Sequence, residues 1–129
     1  AEVSVAQQNK QLVETVWNAI FNQHDVSVID TFVADEYKQH NPGFKTGKSA
    51  FKTAISGYLD EFPESTATIK QIVAEGDLVF IHNHIQLNPE DRGQAAVDIF
   101  RVKDGMIVEK GNVETIFNTP KHPYTKSLL

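Results

Sequence analysis

Between Leu12 and Phe21 the apolar residues Leu12, Val13, Val16, Trp17, Ile20 and Phe21 recur three and four apart, with Gln, Asn, Lys and Glu on the other side. That spacing predicts an amphipathic helix over 6–23, ended between Asn22 and Asp25. A shorter helix is expected over 27–34, capped by Ser27, with Val28, Ile29, Phe32 and Val33 apolar. Tyr37 to Pro42 reads as a brief extended piece, and Pro42-Gly43 opens a loop. A third helix covers 48–62, where Phe51, Ile55, Tyr58, Leu59 and Phe62 share a face and Pro63 stops the run.

From Thr66 the hydrophobic period changes to two. Strands are expected at 66–75, 78–87, 94–103 and 106–117, divided by Glu75-Gly76-Asp77, by Asn88 to Gly93 and by Asp104-Gly105. Helices first and an antiparallel meander afterwards is the α+β pattern, a curved sheet with helices on one face. Repeats, linkers and low-complexity segments are absent, so 1–129 reads as one domain. Pro120 and Pro123 keep the last strand from continuing, which leaves 118–129 as an atypical tail.

Candidate chemistry lies on these strands. His82 and His84 are two apart and share one strand face; Asp98 shares a face with Phe100 and Val102. At the Lys103–Met106 corner, a two-residue loop puts Asp98 and Asn112 on opposite faces. A three-residue loop with a left-handed Gly105 puts them on one, and keeps Phe100, Val102, Met106 and Val108 together. The second arrangement is favoured. It predicts a polar floor of His82 or His84, Asp98 and Asn112 in an apolar cleft.

Each of these residues also has a plainer reading. A buried Asp98 suits a general base, or simply a carboxylate paired with Arg101, Lys110 or a histidine. His82 and His84 suit acid/base work, hydrogen bonding or cross-strand packing. A metal held by them and Asp98 is the weaker reading, since the ligand spacing is not distinctive. Trp17, Phe21, Phe51, Tyr58 and Phe62 fit a core at helical spacing, with Trp17 and Tyr58 also candidates to line a pocket. His24 and His122 read as surface residues. Ile81, Ile85, Val97 and Ile99 are assigned to the uncovered sheet face, whose apolar character predicts a homodimer interface.

Composition narrows the partners. A formal net charge of −5 argues against nucleic acid or an anionic membrane. With no cysteine, disulfides, thiol nucleophiles and thiolate metal sites are excluded. No apolar run approaches the roughly 18–20 residues of a membrane helix. An alanine at position 1 fits a removed signal peptide or a trimmed chain equally well, so a cytoplasmic and an exported soluble protein both stand.

Several segments together carry a family resemblance: Tyr-Lys-Gln-His-Asn-Pro-Gly (37–43), Gly47 with Phe51, Ala-Glu-Gly-Asp (74–77), His-Asn-His (82–84), Asn-Pro-Glu-Asp-Arg-Gly (88–93) and Val-Asp-Ile-Phe-Arg-Val-Lys-Asp-Gly-Met-Ile-Val-Glu (97–109). In order and spacing they resemble the SnoaL-like polyketide cyclase branch of the nuclear transport factor 2-like superfamily, over about residues 8–109. The resemblance implies a cone-shaped α+β fold, a bent sheet around a deep pocket, often in a homodimer. It further implies a cofactor-free intramolecular aldol condensation by acid/base residues, no metal, and Tyr37, His40 and the adjoining Asn41 at the pocket mouth.

The chain also departs from that pattern. Many relatives continue after Ile-Val-Glu with His-Trp-Asp, the aspartate being the acid/base group of the cyclases. Here 109–112 read Glu-Lys-Gly-Asn, and Asn112 stands where the aspartate belongs. An amide does not exchange a proton near neutral pH, so the family mechanism does not transfer unchanged. From Gly105 to Leu129 the chain resembles the C-terminal tail of ATPase subunits of peptide or nickel transporters. Residues 43–49 imitate a phosphate loop but hold three residues between the glycines where four are needed, and the ATPase reading fails. Two readings remain. One is a cofactor-free acid/base enzyme on a small hydrophobic carbonyl compound, of isomerase, aldol or hydration type. The other is a non-catalytic binding or assembly module of the same fold.

Overall fold

A computed structural model describes residues 4–39 and 47–112 of the chain. The elements run α1 (Val5–Phe21), α2 (Ser27–Phe32), β1 (Val33–Gln39), α3 (Lys48–Glu61), β2 (Thr66–Glu75), β3 (Leu78–Gln86), β4 (Gln94–Lys103) and β5 (Met106–Asn112). The strands form one open, curled sheet in the order β1-β5-β4-β3-β2. β2 to β5 pair antiparallel in a meander, while β1 joins the edge of β5 in parallel. The fold is α+β, with the helices on the inner face of the sheet. Val13, Val16, Trp17 and Ile20 of α1 share one buried cluster with Ala67, Val79, Ile81, Phe100, Val102 and Ile107 of the sheet.

Side chains fix how the helices meet the sheet. Ser4 Oγ caps α1 by accepting from Gln7 N at 3.1 Å. At the other end Asn22 acts as a two-pronged clamp on β2, donating to Ala67 O and accepting from Ala67 N, each at 2.9 Å. The helix that carries Trp17 is thereby held in register with the sheet. His24, expected at the surface, is partly buried, with Nε2 2.9 Å from Ser65 O.

Two local expectations are corrected. Ser27 does not cap α2; Asp25 Oδ1 accepts from both Ser27 N and Ser27 Oγ, at 3.0 and 2.5 Å. Those bonds hold the Asp25 carboxyl below the usual range, the Ser27 hydroxyl first and its amide second. The chain also leaves α2 two residues early and enters β1 at Val33, because Val33 is buried opposite Ile107. Cross-sheet burial outweighs the helical spacing of Val33 with Ile29.

The β4–β5 corner differs from the favoured three-residue turn. Lys103 pairs with Met106 around the two-residue turn Asp104-Gly105, with φ of 52° and 75°. Positive φ at both central residues matches the right-handed twist of a hairpin. Arg101 pairs with Glu109 but Val102 with Ile107, so Val108 is an extra residue, a bulge. That bulge shifts the register by one and brings Asn112 opposite Asp98. The pairing sought from a longer turn is reached by a short turn plus a bulge. A second bulge in β2, between Ile69 and Gln71, adds to the curl.

Candidate functional site

Along β3 the residues alternate in burial, with Val79, Ile81 and Asn83 buried and His82 exposed. On β4 the buried set is Ala96, Asp98, Phe100 and Val102. Ile81 lies directly opposite Asp98, and directly opposed residues share a face. His82 and His84 pair with Val97 and Ala95 on the other face. The expected proximity of Asp98 to either histidine is therefore corrected: a strand turns alternate side chains to opposite faces, and these two point away from the helices. His84 Nε2 is 2.8 Å from Arg92 O, in the β3–β4 loop. Ile81 and Ile85 also move, from the predicted outer face to the inner one, Ile81 into the core and Ile85 packed against it; the outer face instead presents the half-buried Phe80, Val97 and Ile99 and the exposed Val73.

What the inner face does collect is a buried polar cluster. Asp98 is 1% exposed, and its Oδ1 is 3.2 Å from Lys110 Nζ. Its other oxygen, Oδ2, accepts from Asn83 Nδ2 at 3.1 Å, and the same Nδ2 reaches Ala96 O at 3.2 Å. The Lys110 ammonium sits 5.8 Å from the centre of the Trp17 ring, within reach of a cation–π contact. Trp17 in turn meets Phe100 edge-on at 5.4 Å and Phe21 at 4.3 Å. Two polar atoms of this cluster, Trp17 Nε1 and Asn83 Oδ1, meet no hydrogen-bond partner among the described residues. A buried donor or acceptor left unpaired costs about 1–3 kcal/mol, so these two atoms are unusual in a packed interior.

Tyr37 is fully buried on β1 and packs its ring 4.9 Å from Phe51. Burial, reinforced by the negative charge of Asp98, pushes its phenol far above the usual range. The hydroxyl therefore stays protonated at every physiological pH. An unfolded tyrosine ionises at about pH 10, the folded one higher, so the unfolded state loses the proton first. Stability is whole below about pH 10 and falls as pH rises beyond it. In Tyr37→Phe this alkaline fall should be much reduced, read by urea unfolding at stepped pH. Equal alkaline slopes in the two proteins would contradict the burial of the phenol.

Trp17, Tyr37, Phe51 and Phe100 line a residual void of about 10 Å³ beside this cluster, room for about one water. Tyr58 is not part of that lining; its ring meets Phe21 at 6.1 Å and Phe62 at 5.4 Å. His40 and Asn41, expected at the mouth, lie outside the described residues, as do the side chain of Asn112 and the tail 118–129. Lys48, from the phosphate-loop imitation, donates to Asp30 O at 2.9 Å and pairs with Asp35 at 3.4 Å. No three His, Cys, Asp or Glu residues are grouped to hold a metal among the described residues, and no described helix is long and apolar enough to cross a membrane.

Asn83 is the site residue the sequence reading overlooks, while Lys110 enters that reading only as a structural partner for Asp98, a pairing that the structure contains. Asn83 has a signal: positions 79, 81, 83 and 85 read Val, Ile, Asn, Ile, so the buried register of β3 contains the asparagine rather than the histidines. Lys110 has a weaker one. Its inward direction depends on the Val108 bulge, which no hydrophobic pattern announces.

Comparison with known proteins places this geometry. The model of the SnoaL-like domain family matches residues 13–110. Among solved structures, TsrD from Streptomyces laurentii is 22% identical, with 86% of this chain and 90% of that one covered and a TM-score of 0.68. An LEH-like epoxide hydrolase of M. tuberculosis is 21% identical over 86% of this chain and 81% of its own, TM-score 0.69. A candidate polyketide cyclase of Bacillus cereus ATCC 10987 is 20% identical over 85% and 77%, TM-score 0.71. At these identities the likeness is one of fold.

Proposed function

Since the chain belongs to the SnoaL-like domain family, we propose that it binds a small hydrophobic carbonyl compound on the inner sheet face and moves a proton there, Asp98 acting as the base. The single observation behind this is Asp98 itself: a carboxylate 1% exposed, aimed by Asn83 and Lys110, beside two polar atoms with no partner among the described residues. Asp98 takes the proton α to the carbonyl. The enolate oxygen that forms accepts hydrogen bonds from Trp17 Nε1–H and from the Tyr37 phenol, which holds its proton. Isomerisation and aldol chemistry both start from that enolate. Names borne by structural relatives, polyketide cyclase and epoxide hydrolase, agree with a small-molecule role for the fold and do not choose the reaction.

A void of about 10 Å³ admits no such compound as it stands and favours the second reading in its assembly form, a module of the same fold without turnover. Under the enzymatic reading, the aromatic wall of Tyr37 and Phe51 moves to admit the substrate, a minor open state selected by binding. The two are separated by hydrogen–deuterium exchange at the α-carbon of cyclohexanone in D₂O, followed by NMR. The expected result is exchange accelerated by the wild type at least about 100-fold over Asp98→Asn, the range of general base catalysis. The Asp98→Asn/Lys110→Met pair, which removes both charges, serves as a second inactive control if the single variant does not fold. Equal rates in wild type and variants would remove the acid/base reading and leave the module.

A further inference from the structure

Lys110 is unusual on three counts. It is a lysine on the buried side of β5, its side chain only 8% exposed. Long cationic side chains normally extend to water and leave only the stem buried. Its partner is held from the far side: Asn83 occupies Asp98 Oδ2, and Lys110 approaches Oδ1. Finally, it is lysine and not arginine. A buried pair kept only for structure favours the planar guanidinium, which grips both carboxylate oxygens and never sheds its proton; lysine meets one oxygen and can give a proton up.

Its surroundings supply what an amine nucleophile needs. Asp98 Oδ1, at 3.2 Å, is placed to take a proton from the ammonium and return it. The face of Trp17 lies at 5.8 Å, Phe100 is the cross-strand partner of Lys110, and both aromatic rings border the residual void. The unpartnered indole N–H is the donor for a carbonyl oxygen brought to this place.

We infer that Lys110 condenses with the carbonyl of its substrate to form an imine, so that the site works by covalent amine catalysis; this rests on the carbonyl-binding role proposed above. The step balances without a co-reactant. The ammonium passes one proton to Asp98, and the amine nitrogen bonds to the carbonyl carbon. The carbinolamine oxygen takes up the proton held by Asp98 and a second from nitrogen. It leaves as water when the C–O bond breaks, and an iminium remains on Lys110. Asp98, again a carboxylate, then removes the α-proton and the iminium becomes an enamine. Hydrolysis reverses the sequence and frees the lysine.

Pentane-2,4-dione is the probe, because a β-diketone condenses with an unprotonated amine to a conjugated enaminone with a near-ultraviolet band. At neutral pH the folded wild type should form one adduct, mapped by peptide mass spectrometry to Lys110 ahead of all other lysines. Borohydride reduction in the presence of cyclohexanone should fix the corresponding secondary amine on the same residue. Lys110→Arg keeps the charge opposite Asp98 and should unfold at nearly the wild-type temperature while losing the band and the Lys110 mass shift. Adducts confined to other lysines in the wild type, or a band that persists in Lys110→Arg, would overturn the inference. If Lys110 stays unlabelled while Asp98-dependent exchange is seen, the imine falls and the acid/base reading stands. A labelled Lys110 with no exchange supports the imine and removes Asp98 as the base.

Discussion

Asp98→Asn is expected to lower the unfolding free energy by about 3–5 kcal/mol, because it leaves the Lys110 ammonium buried without a counter-charge. The substitution keeps shape and volume, so the loss reports charge and not packing. Asp98 is 1% and Lys110 8% exposed at the side chain, so water does not stand in for the missing partner. Lys110→Met should cost a similar amount by stranding the carboxylate, although Asn83 still donates to Oδ2. The double variant removes both charges and should recover most of either loss, since a buried pair contributes little net stability over an apolar replacement. Urea unfolding of the four proteins closes the cycle. A coupling energy under about 1 kcal/mol would mean that the pair behaves like a solvated surface pair, contrary to its burial.

Trp17→Ala is the second large effect, about 3–5 kcal/mol, the usual cost of deleting a buried aromatic ring. Trp17 is 5% exposed and sits where three parts of the interior meet: Phe21 on its own helix, Phe100 on β4 and the Lys110 ammonium on β5. Its removal also joins the space of the ring to the neighbouring void, which the surrounding residues fill only in part. Trp17→Phe keeps most of the apolar contact, loses the indole N–H, and should fall between the two. It separates packing from chemistry: near-normal stability combined with loss of cyclohexanone exchange would place the N–H in the reaction. Trp17 is the chain's one tryptophan, so its fluorescence reads its burial in the wild type directly. Denaturation of Trp17→Ala by circular dichroism with a cost below about 1 kcal/mol would contradict its central place in the core.

The amino-acid sequence by itself determined the element types, their order and most of their ends. Hydrophobic periods of 3.6 and then 2 are local properties, written into Val13, Val16, Trp17 and Ile20 and into Val79, Ile81, Phe100 and Val102, and each element obeys them nearly unaided. The family resemblance was legible for the same reason, since it lies in turns such as Glu75-Gly76-Asp77 and Asp104-Gly105 whose chemistry is local. The candidate site was legible in Asp98, Tyr37 and Trp17, and in Lys110 only as one of several possible partners for Asp98. Tertiary structure decided the rest. His82 and His84 attracted attention as a pair of imidazoles, yet the register of β3 against β4 put Asn83, between them, beside Asp98. A slip of one residue exchanges the faces of a strand, and register is set by pairing across the sheet rather than by the strand alone. Asn112 came opposite Asp98 only because Val108 bulges, and that bulge also turned Lys110 inward. The first two residues of β1, Val33 and Ala34, were drawn from helix into strand by the burial of Val33 against Ile107, a partner 74 positions along the chain in the cross-sheet register. Contacts of that range carry no periodic signature, so the chemistry that depends on them appears only once the sheet has closed over the helices.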